Sequence, residues 1–258
     1  MNLLEHTLYI NLEHREDRKW HVIAQLNAIR SNKGTNKGTE KGPDKENIER
    51  FPAVKSKYGA VGCSLSHIKC LEYAKSLEWE YVCIVEDDFR CVNPEKFRKS
   101  LDDFEQNAEK DGISWDVLLL GGNNCPPYHV PISTASGTPI EYCVQITNCQ
   151  SAIAYVARKS MYDTLIQNYR EGVVKLMRNP ENKREFAVDM YWKSLQTTGR
   201  WYLLVPLTIT QLVSYSDIEE RETNYDHLML DINKPWLFQA QQQQTVLQNM
   251  TCFKKQMF

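Results

Sequence analysis

Tyr81-Val82-Cys83-Ile84-Val85-Glu86-Asp87-Asp88 is the stretch that decides how this chain folds. Its first five residues are apolar with no alternation, then three carboxylates follow without a break. An unbroken apolar run predicts a strand covered on both faces, and so a sheet lying between layers of helix. Adjacent acids raise one another's pKa, and a divalent cation relieves the repulsion. Hard cations such as Mg²⁺ and Mn²⁺ take oxygen ligands and keep positions open for phosphates. The run therefore predicts a metal and diphosphate site at the carboxyl end of a central strand. A solvated acidic turn is the plainer alternative.

The 258 residues suit one large domain, and the formal net charge of −2 gives no support for nucleic acid as the main partner. No apolar stretch is long enough to span a bilayer. The opening Met1-Asn2-Leu3-Leu4-Glu5-His6 brings acid and polar residues too early for a signal peptide, so a cytoplasmic location is expected. None of the eight cysteines sits in a CxxC pair, and free thiols are expected. We read residues 1–238 as one domain, with 31–47 a mobile Lys-Gly-Thr insertion and 239–258 a glutamine-rich tail.

Outward from the acidic run, strands and helices alternate, which predicts an α/β class. Thr7 to Leu12 reads as a first strand, followed by a helix through Trp20, Ile23, Ala24 and Ile29. Arg50 to Val54 reads as a short strand, and Gly59 to Gly62 as a turn. Ser64 then caps a helix to Leu77 that carries Leu65, Ile68, Leu71 and Ala74 on one face. Later strands are expected at Trp115–Leu120, Ala152–Val156 and Trp201–Pro206, and helices at Pro94–Phe104 and Lys159–Tyr169. Open α/β sheets bind ligands at strand carboxyl ends, which is where the acids lie. Arg15 and Arg18 offer cations nearby, and the start of the Ser64 helix offers amides for an anion.

In their order and spacing these features resemble glycosyltransferase family 25. The resemblance rests on Tyr9-Ile10-Asn11-Leu12 with Arg15 and Asp17-Arg18, on Phe51-Pro52-Ala53-Val54, and on Gly62-Cys63-Ser64-Leu65-Ser66-His67. It rests also on Val85-Glu86-Asp87-Asp88 and Leu119-Leu120-Gly121-Gly122, and more loosely on Val188-Asp189-Met190. The Lys-Gly-Thr insertion and the stretch Thr147 to Ser151 depart from the family pattern. The resemblance implies a GT-A-type nucleotide-binding sandwich with a mixed, mainly parallel sheet. It implies transfer, with inversion, of a galactose or glucose from a UDP-sugar to a hydroxyl of a glycan, lipooligosaccharide or hydroxylysine-type protein acceptor.

The resemblance further implies site residues. Asn11, Leu12, Arg15, Ala53, Val54, Ser64, His67, Glu86 and Asp87 would surround the donor nucleotide. Asp88, with Glu86 and Gln211, would hold Mn²⁺ or Mg²⁺, and Ser216-Asp217 is another candidate for the C-terminal ligand. Asp189 is the expected general base, because its neighbours Met190-Tyr191-Trp192 suit a sugar face and partial desolvation raises carboxylate basicity. Two other classes stay open: a metal-dependent nucleotide-sugar hydrolase or nucleotidyltransferase, and a non-catalytic sugar-binding protein.

Overall fold

A computed structural model describes residues 1–30, 47–126, 130–216 and 218–234. The expected glutamine-rich tail, Asp217, and the insertion up to residue 46 lie outside these residues.

The strands are β1 (His6–Asn11), β2 (Asn47–Pro52), β3 (Tyr81–Glu86), β4 (Phe89–Cys91), β5 (Val117–Asn124) and β6 (Cys143–Gln145). They continue as β7 (Cys149–Arg158), β8 (Trp201–Leu204), β9 (Ile209–Gln211), β10 (Ser214–Ser216) and β11 (Arg221–Thr223). The longer helices are α1 (Glu16–Arg30), α2 (Gly59–Ser76), α3 (Pro94–Asn107) and α4 (Tyr162–Arg178). Four single turns complete the set: α5 (Lys183–Phe186), α6 (Val188–Tyr191), α7 (Lys193–Gln196) and α8 (Asp226–Met229).

Seven strands form one sheet in the order β2-β1-β3-β7-β5-β8-β6. Its pairings β1–β2, β1–β3 and β5–β8 are parallel, while β3–β7, β5–β7 and β6–β8 are antiparallel. The sheet is thus mixed, with only β7 and β6 running against the rest. The acidic run is central, as its apolar pattern requires. Alternation along β3 sends Val82 and Ile84 into one core with Ile68 and Leu71 of α2, and Leu165 of α4. Cys83 and Val85 go into the opposite core with Val22 of α1 and Phe97 and Leu101 of α3. The α/β layering expected from the sequence is the one observed.

Two sequence expectations change. The buried stripe of α1 is Arg18, Val22, Leu26 and Ile29, while Trp20 is 62% exposed. A cation occupies a core position on this helix, so its apolar residues alone point to the wrong face. The second change is at α2, which begins at Gly59 behind Tyr58 rather than at Ser64. The Gly59–Gly62 segment is its first turn. Gly62 has a packing reason: a Cβ there would lie 2.5 Å from the Val54 carbonyl oxygen. Ser64 sits inside the helix, where its hydroxyl donates to the Ala60 carbonyl at 2.8 Å.

Parallel pairing brings three carboxyl ends together. Asn11 faces Pro52, and Ile10 faces Glu86. The next residue after β2 joins them, with the Ala53 amide donating to the Asn11 carbonyl at 3.1 Å. After the acids the chain turns into β4, which pairs with β9 so that Phe89 faces Gln211. Residues far apart in sequence are thereby gathered at one edge of the sheet.

Candidate active site

The three adjacent acids diverge. Glu86 turns toward α2, and its Oε1 lies 3.2 Å from His67 Nε2 and 3.4 Å from Cys63 Sγ. Asp87 turns toward α1. Its Oδ2 accepts from Asn11 Nδ2 at 2.8 Å and its Oδ1 from Arg18 Nη1 at 3.1 Å. Asp88 lies between these arrangements, 3.4 Å from the same Arg18 nitrogen. Its Oδ1 is buried and has no hydrogen-bond partner among the described residues.

Their charge states differ accordingly. Burial pushes the Asp88 carboxyl up to about 7, with Glu86 adding to the rise and Arg18 opposing it. Burial also raises Asp87, against the pull of Arg18 and Asn11. For Glu86 burial acts upward too, but the hydrogen bond and charge of His67 hold it below the ordinary carboxylate value. A buried carboxylate oxygen with no donor, on a group that resists ionising, is the environment a hard cation would relieve. The residues present therefore fit a Mn²⁺- or Mg²⁺-class ion at Asp88.

Two cavities meet at these acids. One, of about 350 Å³, is lined by Leu12, Arg15, Ala53, Val54, His67, Glu86 and Asp87, all expected around a nucleotide. Lys55, Lys57 and, at the start of α2, Gly59 line it as well, so cations and the leading end of a helix border the space. Of the other expected donor residues, Asn11 is buried and braces Asp87 from below. Ser64 is buried within α2 and lines neither cavity. Ser66 faces the nucleotide-side cavity instead, and its hydroxyl accepts from the Val54 amide at 2.8 Å while donating to the Gly62 carbonyl at 2.7 Å.

The second cavity, of about 330 Å³, is lined by Asp88, Asp189, Met190 and Gln211, with Lys183, Arg184 and Arg221 around it. Asp189 is fixed there because its Oδ2 accepts from the Ser151 amide at 2.9 Å. Burial raises its carboxyl above the ordinary value against that hydrogen bond. Gln211 donates from Nε2 to Ser151 Oγ at 3.4 Å, which leaves its carbonyl oxygen as the end able to meet a cation. Cys63, Glu86, Asp88, Ser216 and Ile218 line both cavities.

Arg18 lines the nucleotide-side cavity and is paired there with Asp87 and Asp88. It bridges the acids to the β10 ribbon, donating to Ser214 Oγ at 3.0 Å and the Tyr215 carbonyl at 2.9 Å. Its signal was its place on the i, i+4 stripe with Val22 and Leu26.

Residues 4–122 match the family model described as glycosyltransferase family 25 (LPS biosynthesis protein). The family segment spans β1, β3, α2 and the three acids, and so contains most of the nucleotide-side wall. Asp189 and Gln211 lie beyond it. No curated protein matches the chain. Among solved structures the chain is similar to a protein from STIV, at 12% identity and TM-score 0.40 over 85% of this chain and 94% of that one. It is similar also to a mannose-1-phosphate geranyltransferase from Thermus thermophilus, at 10% identity and TM-score 0.38, covering 78% and 59% of the two chains. A third likeness is to a Drosophila beta-1,4-galactosyltransferase 7 mutant in complex with manganese, UDP-Gal and xylobiose, at 9% identity and TM-score 0.38, over 84% and 74%. These distant likenesses carry no weight for activity. No helix among the described residues is long and apolar enough to cross a membrane.

Proposed function

We propose that the chain is a GT-A-type inverting transferase that moves a hexose, galactose or glucose, from a UDP-sugar to a hydroxyl of a glycan, lipid-linked glycan or protein acceptor. The observation that carries this reading is the meeting of the two cavities at Glu86 and Asp88, with Asp189 in the far one. A nucleotide diphosphate in the first and an acceptor in the second would face each other across the acids.

Each side has its residues. Leu12, Ala53 and Val54 give the nucleoside an apolar and backbone wall. The leading amides of α2, with Lys55, Lys57 and Arg15, face the phosphates and offset charge as the diphosphate leaves. Asp88 would hold a divalent cation, with Gln211 and Glu86 as its neighbours in the site. Such an ion, when bound, supplies further neutralisation of the leaving group. In the second cavity Asp189 takes the proton from the acceptor hydroxyl as that oxygen bonds to the anomeric carbon. The bond from that carbon to the diphosphate oxygen breaks on the opposite side, so the configuration inverts. The raised pKa of Asp189 suits a base, since desolvation increases its affinity for the proton.

The test separates binding from chemistry. Asp189→Asn is expected to fold, to bind UDP and Mn²⁺ nearly as the wild type does, and to lose transfer by ~10²–10⁴-fold. Asp88→Asn is expected to weaken Mn²⁺-dependent UDP binding as well as transfer. A panel of UDP-, GDP- and CMP-sugars, read as nucleotide release with and without acceptor, identifies the donor. Normal transfer by folded Asp189→Asn would remove that residue from the mechanism. Equal UDP affinity in EDTA and in Mn²⁺ would remove the cation.

A further inference from the structure

Cys63 and His67 close on Glu86 to form a cluster whose sulfur and imidazole a hard-cation site does not need. One sulfur, one imidazole nitrogen and one carboxylate oxygen lie within 4.8 Å of one another. The sequence makes this possible because Cys63 and His67 are four apart on α2, and so stand one above the other on the same helix face. Glu86 comes to them from the end of β3. Gly62 seats this turn closely against the Val54 carbonyl, which sets the height of Cys63 over the sheet.

The distances suit a small tetrahedral ion. Zinc bonds of ~2.3 Å to sulfur and ~2.0–2.2 Å to nitrogen and oxygen make tetrahedral ligand–ligand edges of roughly 3.3–3.7 Å. The edge from Glu86 Oε1 to Cys63 Sγ, 3.4 Å, lies inside that range, that to His67 Nε2, 3.2 Å, lies just below it, and the third edge is under 4.8 Å. The ligand types agree: a thiolate and an imidazole select zinc-class ions over Mg²⁺ or Mn²⁺. His67 is fully buried, and its other nitrogen is held by the Tyr155 hydroxyl at 3.1 Å. An outer hydrogen bond of this kind orients a ligating imidazole. Three protein ligands leave a fourth position. Cys63 and Glu86 line both cavities, so that position opens where the cavities meet.

We propose that Cys63, His67 and Glu86 bind one zinc-class divalent ion, whose fourth ligand is an oxygen from water or a bound substrate. The site borders the Asp88 site through Glu86 but uses no atom of Asp88, and it does not depend on the transferase reading. Binding takes the proton from the Cys63 thiol and releases it to solvent. The ion accepts electron pairs from the thiolate, Glu86 Oε1 and Nε2 of neutral His67, whose Nδ1 keeps the ring proton and hydrogen-bonds to the Tyr155 hydroxyl. No oxidant or reductant is involved.

The experiment uses the full chain, stripped with a chelator and titrated with Co²⁺ as a spectroscopic stand-in for zinc. The expected result is one equivalent bound, with the near-ultraviolet sulfur-to-cobalt charge-transfer band that only a thiolate ligand gives. Zn²⁺ should bleach the band, and excess Mn²⁺ should leave it. Cys63→Ser should abolish it, and Glu86→Gln should weaken Co²⁺ binding at least tenfold. Tyr155→Phe should weaken it by about 10–100-fold. Asp88→Asn should keep the band even where it loses UDP binding, so failure of the transferase reading leaves this result intact. If Cys63→Ser does not fold, mass mapping of Zn²⁺ protection against alkylation in the wild type replaces it, with Cys63 expected to be the protected thiol. Absence of the band, its persistence in Cys63→Ser, its loss in Asp88→Asn, or protection of a different cysteine would overturn the site.

Discussion

Asp88 is the residue on which charge and stability meet. Its folded pKa, about 7, lies above the unfolded carboxylate value, so the folded state binds more protons between roughly pH 4 and 7. Stability therefore falls as pH rises through that window, by on the order of 2–4 kcal/mol from this group when no cation is bound. In EDTA, Asp88→Asn should flatten that fall. Unfolding midpoints of both proteins at pH 5 and pH 8 check it, and parallel pH slopes would count against the raised pKa. Arg18 has the opposite character. It is buried and paired, so Arg18→Ala leaves Asp87 without its cation and should cost about 3–5 kcal/mol. Denaturant unfolding measures this, and a loss under 1 kcal/mol would show that the bridge is replaceable.

At the scale of elements, the close seat of α2 is the testable feature. Gly62→Ala would place a methyl group 2.5 Å from the Val54 carbonyl, against backbone that has no side-chain freedom to yield. It should cost about 1–3 kcal/mol and displace the 53–56 loop from the nucleotide-side cavity. A stability loss with a several-fold weaker UDP affinity is the expected pair, read by thermal unfolding and calorimetry. Unchanged affinity would detach that loop from nucleotide binding. Elements also mark how far the sequence could be read. β3 was legible because five apolar residues in a row admit few other environments, and α3 because Phe97, Leu101 and Phe104 keep helical spacing. The start of α2 was not legible, since glycines that serve close packing look like glycines that serve a turn. The Cys63–Glu86 contact was hidden for another reason. It depends on how a strand end meets a helix face, and local pattern does not encode that. The acid run announced a charged site, yet not that its three carboxylates would separate toward Cys63 and His67, toward Arg18 and Asn11, and to the border of the two cavities.

At the scale of the whole molecule, the parallel half of the sheet builds the nucleotide-side wall. The C-terminal elements supply Asp189, Gln211 and the β10 ribbon opposite it. Arg18 ties the two by holding the acids and the ribbon at once. The common wall between the cavities has a consequence for inhibitor chemistry. Cys63, Glu86 and Asp88 border both spaces, so occupants of the two cavities would lie against the same three side chains. A uridine joined through a short linker to an acceptor-like sugar would have its second half held at millimolar effective concentration once the first half binds. Such a bisubstrate ligand should bind ~10²–10⁴-fold more tightly than either half, and competition against UDP measures the gain. Tethered halves no better than free ones would mean that the passage is too narrow for a linker, whereas a gain in that range would make the junction one continuous channel for a single inhibitor.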